Sequence, residues 1–226
     1  MEQEIKLTID DPAQVSRLRN SHWYQCLFPS ADRREIRMHS CYLDTPGRFL
    51  SARHISLRLR RENEAIVMSV KSDGQVSGYI HQRHEWSAGW TGRWPPAGLH
   101  LDDVLQAFSL GSPAALHDEA WPLLPPFPDQ SELIILCEVR FKRLAASFVW
   151  HDLQAEAALD QGWLIAGDRQ LALHELEIEY LSGDIRQLNP LAERLMSEFG
   201  LRFEPRSKLS RCLGLRQEEV AVDGGS

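Results

Sequence analysis

The sequence predicts an α+β fold built on a closed antiparallel β-barrel, with its charged side turned inward and helices packed outside. Three observations lead there. Strand-like runs outnumber helical ones along the chain. In six of these runs one face is charged and the opposite face is apolar. The charges also segregate, cations on some strands and carboxylates on others, whereas a solvated face mixes in more Thr, Ser, Gln and Asn.

The elements follow in order. Strands are expected at about residues 2–9, 35–44, 54–62, 65–72, 78–87, 132–142, 144–151, 153–160, 163–166 and 172–181. "KSDGQVSG" and "LDQG" read as hairpin turns. A first helix is signalled by "DDPAQVSRLRN", with Asp at its cap and Pro in its first turn. A short helix is expected around 101–108, inside a Pro-rich excursion that separates two groups of strands. "GDIRQLNPLAERLMSEFG" gives another helix, with Asp184 as N-cap, an apolar stripe of Leu188, Leu191, Leu195 and Phe199, and Gly200 as its stop. Its Pro190 belongs in the first turn or at a kink. "RSKLSR" falls on a terminal helix. One domain is expected over 1–216, followed by a frayed tail at 217–226.

The totals exclude several classes. At 226 residues the chain is long enough for a sizeable core. A net charge of −7 argues against a general nucleic-acid surface. No apolar run reaches the roughly 20 residues a membrane helix needs. Met1 is followed by Glu, Gln and Glu rather than by a basic and then an apolar stretch, which argues against a secretory signal. Cys26, Cys41, Cys137 and Cys212 stand far apart and read as reduced, buried thiols of a cytoplasmic protein, forming neither a disulfide frame nor a zinc site.

Alternation decides the rest. Glu2, Glu4 and Lys6 oppose Ile5 and Leu7, and Arg58 and Arg60 oppose Leu57 and Leu59. Lys71 shares a face with Ser69, Arg83 with Glu85, and Glu156 with Asp160. Glu175, Glu177 and Glu179 crowd one face against Leu176, Ile178 and Tyr180. A sheet with one wet face explains any single strand. Six together favour a barrel whose charges point inward, where they need a highly charged guest. Arg and Lys suit phosphate oxygens, and grouped carboxylates suit a hard divalent cation such as Mg²⁺ or Mn²⁺. Both together point to a polyphosphate with metal.

At these residues the chain resembles the CYTH superfamily, the triphosphate tunnel metalloenzymes. Their N-terminal ExExK hallmark stands here as Glu2-Gln3-Glu4-Ile5-Lys6. "YLDTPGRFLSARHISLRLRREN", "MSVK", "HQRHEW", "ALDQG", "HELEIEYLSGD" and "SKLSR" follow in family order, so the resemblance reaches to about Leu215. It is closest to the bacterial inorganic triphosphatases, whose CYTH domain is often followed by a helical CHAD domain. None follows here, so the chain reads as a stand-alone protein or a trimmed domain.

The resemblance implies an eight-stranded tunnel open at both ends and Mg²⁺- or Mn²⁺-dependent hydrolysis of the terminal phosphate of a linear triphosphate. It implies a small-molecule substrate, no nucleic-acid or membrane partner, and nothing about oligomeric state. Carried over by motif, Lys6, Arg58, Arg60, Lys71, Arg83, Arg143 and Lys208 would bind phosphate. Glu2, Glu4, Glu177 and Glu179 would hold metal, with Glu85, Glu175 and Asp160 as further members. Glu4, Lys6 and Arg60 are the residues expected to be indispensable for turnover. Lys6 would bind phosphate, have its pKa lowered by neighbouring cations, or position water, and the sequence leaves these open. In "CEVRFKR" the alternation groups Arg140 with Glu138, so Arg143 faces inward only if a bend falls near Lys142; either arginine could fill the role. Lys208 would plug one tunnel end and reach phosphate, or be exposed.

The remaining conspicuous residues have plainer readings. His54, His81, His84 and His174 show no ligand spacing. Trp86, Trp90, Trp94, Trp121 and Trp163 read as packing residues. Rival functions are thiamine triphosphatase, nucleoside triphosphatase, adenylate cyclase and a non-catalytic polyphosphate-binding module. A lipocalin-like carrier would need apolar interior faces, which the alternation contradicts.

Overall fold

Alternating strands with one apolar face close on themselves when a second apolar layer covers the outside. The computed structural model, which describes residues 1–127 and 130–222, has this arrangement. Its strands are β1 (Glu2–Thr8), β2 (Arg34–Asp44), β3 (Ser56–Glu62), β4 (Ala65–Ser77), β5 (Ile80–Gly89), β6 (Ile134–Trp150), β7 (Leu153–Ala166), β8 (Arg169–Gly183) and the two-residue β9 (Arg202–Phe203). They run β5-β4-β3-β2-β6-β7-β8-β1, and β1 also pairs with β5, which closes eight antiparallel strands into a barrel. The seam is β1. Ile5 lies opposite Ile178 of β8, while Gln3 lies opposite Gln82 of β5. The short β9 adds beside Leu7 and Thr8.

The helices are α1 (Pro12–Arg19), α2 (His22–Leu27), α3 (Leu101–Gly111), α4 (Leu188–Phe199) and α5 (Lys208–Val222). Asp11 caps α1 by accepting from the Ala13 amide at 2.8 Å. The apolar faces of β1, β7 and β8 turn outward, where Ile5, Leu7, Leu159 and Ile178 pack under Leu18, Leu27, Leu191 and Leu195 of α1, α2 and α4. On the other side Leu57, Leu59, Met68 and Val70 pack under Val104 and Phe108 of α3. A smaller apolar cluster, with Tyr42, Phe141, Leu164 and Leu173, packs against Cys212 of α5 and fills one end of the barrel. The outside is dry because helices cover it, and the inside is left to the charged faces.

Several sequence expectations change. The runs at 132–142 and 144–151 are one strand, β6, and those at 153–160 and 163–166 are one strand, β7. "LDQG" is therefore no turn. Gly162 sits opposite Phe141 in unbroken register, and a Cβ there would overlap the Arg140 carbonyl oxygen, so close strand approach accounts for the glycine. "KSDGQVSG" is mostly strand too, with a register shift between Lys71 and Gly74 and the reversal at Gly78, whose φ is 61°. Asp184 caps a short 3₁₀ turn at Ile185–Gln187 rather than α4 itself, and Pro190 lies in the first turn of α4. Cys26 is exposed, because the buried stripe of the short α2 is Trp23 and Leu27 and Cys26 falls off it. The helix α5 is drawn through Val222, past the expected boundary at 216, and residues 223–226 of the expected tail lie outside the described residues.

Candidate active site

A cavity of about 320 Å³ lies inside the barrel. Strand parity puts the charges there. Glu2, Glu4 and Lys6 line it from β1, Arg58 and Arg60 from β3, Lys71 from β4, and Arg83 and Glu85 from β5. Arg143 lines it from β6, Glu177 and Glu179 from β8, and Lys208 from the start of α5. Asp160 and Glu175 lie behind this lining, fully buried on β7 and β8.

The ion pairs fall into two groups. On one wall Glu2 receives Lys71 Nζ at 3.0 Å and Arg83 Nε at 2.7 Å. Arg83 also donates to Glu4 at 2.9 Å, and Glu85 takes Lys71 at 2.6 Å and Arg58 at 3.1 Å. On the other wall Arg143 grips Asp160 through two bonds of 2.7 Å and reaches Glu177 at 2.5 Å. Lys208 Nζ sits among Asp160 at 3.0 Å, Glu175 at 2.5 Å and Glu177 at 2.7 Å. Arg211 holds the far oxygen of Glu175 at 2.7 Å.

Arg143 needs no bend to face inward. β6 turns Phe141 and Arg143 inward and Glu138 and Arg140 outward, so the alternation was sound and the inner face was the less charged one. The Arg143 guanidinium and Lys208 Nζ lie 5.6 and 5.5 Å from the Phe141 ring centroid. Sequence reasoning passed over Ser40, Tyr42 and Phe141, since the faces of β2 and β6 that carry them show no run of alternating charge, and over Arg211, which stands three residues beyond Lys208 on one helix face.

The electrostatics separate the carboxylates. Burial opposes the charge on Glu2, but Lys71 and Arg83 outweigh it and hold the group well below the usual range. Burial likewise opposes Glu177, and Lys208 and Arg143 hold it low. Glu4 is pushed up by burial and by the Glu177 and Glu2 charges. Glu179 is pushed up to about 7 by burial, then by Glu2, Glu4, Glu156 and Glu177. Glu179 stands directly across from Glu4 in the β1–β8 register, and among the described residues it has no ion-pair partner.

The cations are equally unbalanced. Seven basic side chains and five carboxylates line the cavity, so it favours an anionic guest. Arg60 pairs with Glu62, yet burial and then Arg58 lower its pKa to about 10. Among the described residues, the Nε atoms of Arg58 and Arg60 are buried donors without a hydrogen-bond partner.

A closed antiparallel barrel whose inner wall carries arginine, lysine and carboxylate side chains around one cavity defines a charged tunnel. The CYTH domain family matches residues 1–213, and the chain belongs to that family. It is 25% identical over 220 residues to an inorganic triphosphatase of Haemophilus influenzae, covering 97% of this chain and 56% of that protein, so it spans about half the length of that curated relative. Among solved structures it is similar to an adenylyl cyclase candidate of Hippeastrum described as having a dominant triphosphatase activity, at 19% identity and a TM-score of 0.61 over 93% of this chain and 94% of that one. It is also similar to the Mimivirus capping enzyme triphosphatase, at 13% identity and a TM-score of 0.50 over 87% of each chain. These two likenesses concern the fold.

Proposed function

We propose that the chain hydrolyses the terminal phosphate of a linear triphosphate, with inorganic triphosphate as its substrate. The observation that carries this reading is the pair of buried, partnerless donors Arg58 Nε and Arg60 Nε beside the tunnel cavity. A buried donor without an acceptor costs roughly 1–3 kcal/mol, and phosphate oxygens relieve both arginines at once. The inorganic triphosphatase of Haemophilus influenzae supports the same choice.

The residues then divide the work. Arg58, Arg60, Lys71 and Arg83 hold the phosphate chain along one wall, and Arg143 with Lys208 meets it from the other. Lys6 lies 3.8 Å from Glu4 and serves the same oxygens. Glu2, Glu4 and Glu179 are the carboxylates that would hold a hard divalent cation, because burial and then neighbouring carboxylates push Glu4 and Glu179 up and a cation would offset that repulsion. Mg²⁺ or Mn²⁺ held by these carboxylates would supply positive charge for the developing charge on phosphate oxygens. Asp160, Glu175 and Glu177 already share the Lys208 ammonium, so their role is to fix Lys208 and Arg143.

One observation favours an organic triphosphate as a second reading. A further cavity of about 690 Å³ adjoins the first and shares Lys6, Ser56, Lys71 and Arg83 with it, which leaves room for a base or a thiamine beyond the phosphates. Phosphate release from tripolyphosphate, pyrophosphate, ATP and thiamine triphosphate, with Mg²⁺ and with Mn²⁺, separates the readings, with cyclic AMP assayed in parallel. Tripolyphosphate should be the preferred substrate. Binding of polyphosphate without release from any of them sinks the hydrolase reading.

A further inference from the structure

Ser40 and Tyr42 of β2 point into the tunnel, so His39 and Cys41 between them point away from it. Glu138 of β6 lies directly opposite Cys41 in register and joins them on the outer wall. The ligand atoms of His39, Cys41 and Glu138 all lie within 4.8 Å of one another. His39 Nε2 and Glu138 Oε2 are 2.5 Å apart. The Trp94 ring stands edge-on over His39, with centroids 5.0 Å apart, and shields the group from one side.

We propose that this trio is a second metal site, separate from the tunnel, for a borderline-soft divalent cation of the Zn²⁺ or Co²⁺ class. The donor set is one imidazole, one thiolate and one carboxylate. That mixture suits Zn²⁺ or Co²⁺ and ill suits Mg²⁺, which takes oxygen ligands. Two features of the groups point to a ligand beyond the ion pair already present. Cys41 is fully buried, and its thiol has no hydrogen bond among the described residues although it faces the other two donors. Every hydrogen bond to Glu138 from His39 and from Arg140 ends on Oε2, which leaves Oε1 open. Arg140 is more than half exposed, so its side chain can swing into solvent when a cation takes its place. Three protein ligands would leave a fourth tetrahedral position for water.

A bound ion would tie β2 to β6 on the outer wall. Sequence spacing conceals the site because only His39 and Cys41 are close in the chain. The third ligand arrives through strand register.

The test uses the reduced full chain with excess Mg²⁺ present and Co²⁺ as the probe. A thiolate ligand gives Co²⁺ an intense near-ultraviolet charge-transfer band, which tunnel carboxylates cannot produce. One equivalent of Co²⁺ should raise that band in the parent protein and in the Cys26→Ser and Cys212→Ser variants, and Zn²⁺ should displace it. Cys41→Ser should abolish the band, and His39→Asn should weaken Co²⁺ binding by about tenfold or more while leaving the fold intact by circular dichroism. No band in the parent protein, or a band that survives Cys41→Ser, overturns the proposal. Unchanged affinity in both His39→Asn and Glu138→Gln overturns it as well.

Discussion

Lys208 Nζ lies 2.7 Å from Glu177 Oε1, so a side chain from the last helix completes an ion pair with the wall of the tunnel. The same ammonium serves Asp160 and Glu175, which makes one cation the common counter-charge of three buried carboxylates. The end of the chain is therefore built into the cavity that its beginning opens.

Replacing Lys208 by Met should cost about 3 kcal/mol of stability at neutral pH, because it removes the counter-charge that three buried carboxylates share and leaves them only Arg143 and Arg211. The loss should shrink as the pH falls toward 5, since carboxylates with raised folded pKa values take up protons in the folded state. Urea melts at pH 7.5 and 5.5 check both statements. Equal stability of variant and parent at pH 7.5 would contradict the shared counter-ion.

Replacing Arg60 by Ala should separate activity from stability. Its buried guanidinium has a pKa lowered to about 10 and a partnerless Nε, so removal should leave stability unchanged or raise it by roughly 1 kcal/mol. Tripolyphosphate hydrolysis should nearly vanish. Tripolyphosphate at 100 times its Kd should stabilise the parent by about 2.7 kcal/mol, and far less in the variant. Near-normal turnover in Arg60→Ala and in Glu4→Gln would remove both from the site.

Glu179 sets a pH dependence that divalent cations should erase. Its folded pKa of about 7 lies above the ordinary carboxylate value, so its favourable contribution is complete below about pH 4.5 and is lost as pH rises through 7. Without divalent cations, stability should fall by on the order of 1 kcal/mol over that window, after allowance for partial exposure. Glu179→Gln should flatten the curve, and so should saturating Mg²⁺. A parent curve that rises through the window and is indifferent to Glu179→Gln would refute the assignment.

Gly162→Ala should destabilise by ~3 kcal/mol, because the new Cβ meets the Arg140 carbonyl oxygen across the β6–β7 pair. Thermal melts report this directly. Tolerance of alanine would mean that the two strands can separate there at little cost.

The charged faces were legible because β-strand alternation is local. Glu2, Glu4 and Lys6, then Arg58 and Arg60, declare a common face from spacing alone, and each does line the cavity. What escaped depends on partners distant in sequence. Gly162 looked like a turn because its reason is the backbone of β6. Arg143 looked misplaced because its inner neighbour is Phe141 rather than another charge. The helix α2 was missed because its six residues bury only Trp23 and Leu27, too short a stripe to show a period. Arg211, and the isolation of Glu179 from the ion pairs that hold the other lining carboxylates, emerge only from the closed barrel.

The seam at β1 also orders events in time. The strand made first waits for β5 along one edge and for β8, near the end of the chain, along the other. Contacts of such long range are slow to form, and during synthesis β1 is left with open edges until residues 175–179 have left the ribosome. Glu4 and Glu179 meet only at that last step. A nascent chain thus keeps these two facing carboxylates apart until closure, and a divalent cation present at that moment would favour the closing of the ring.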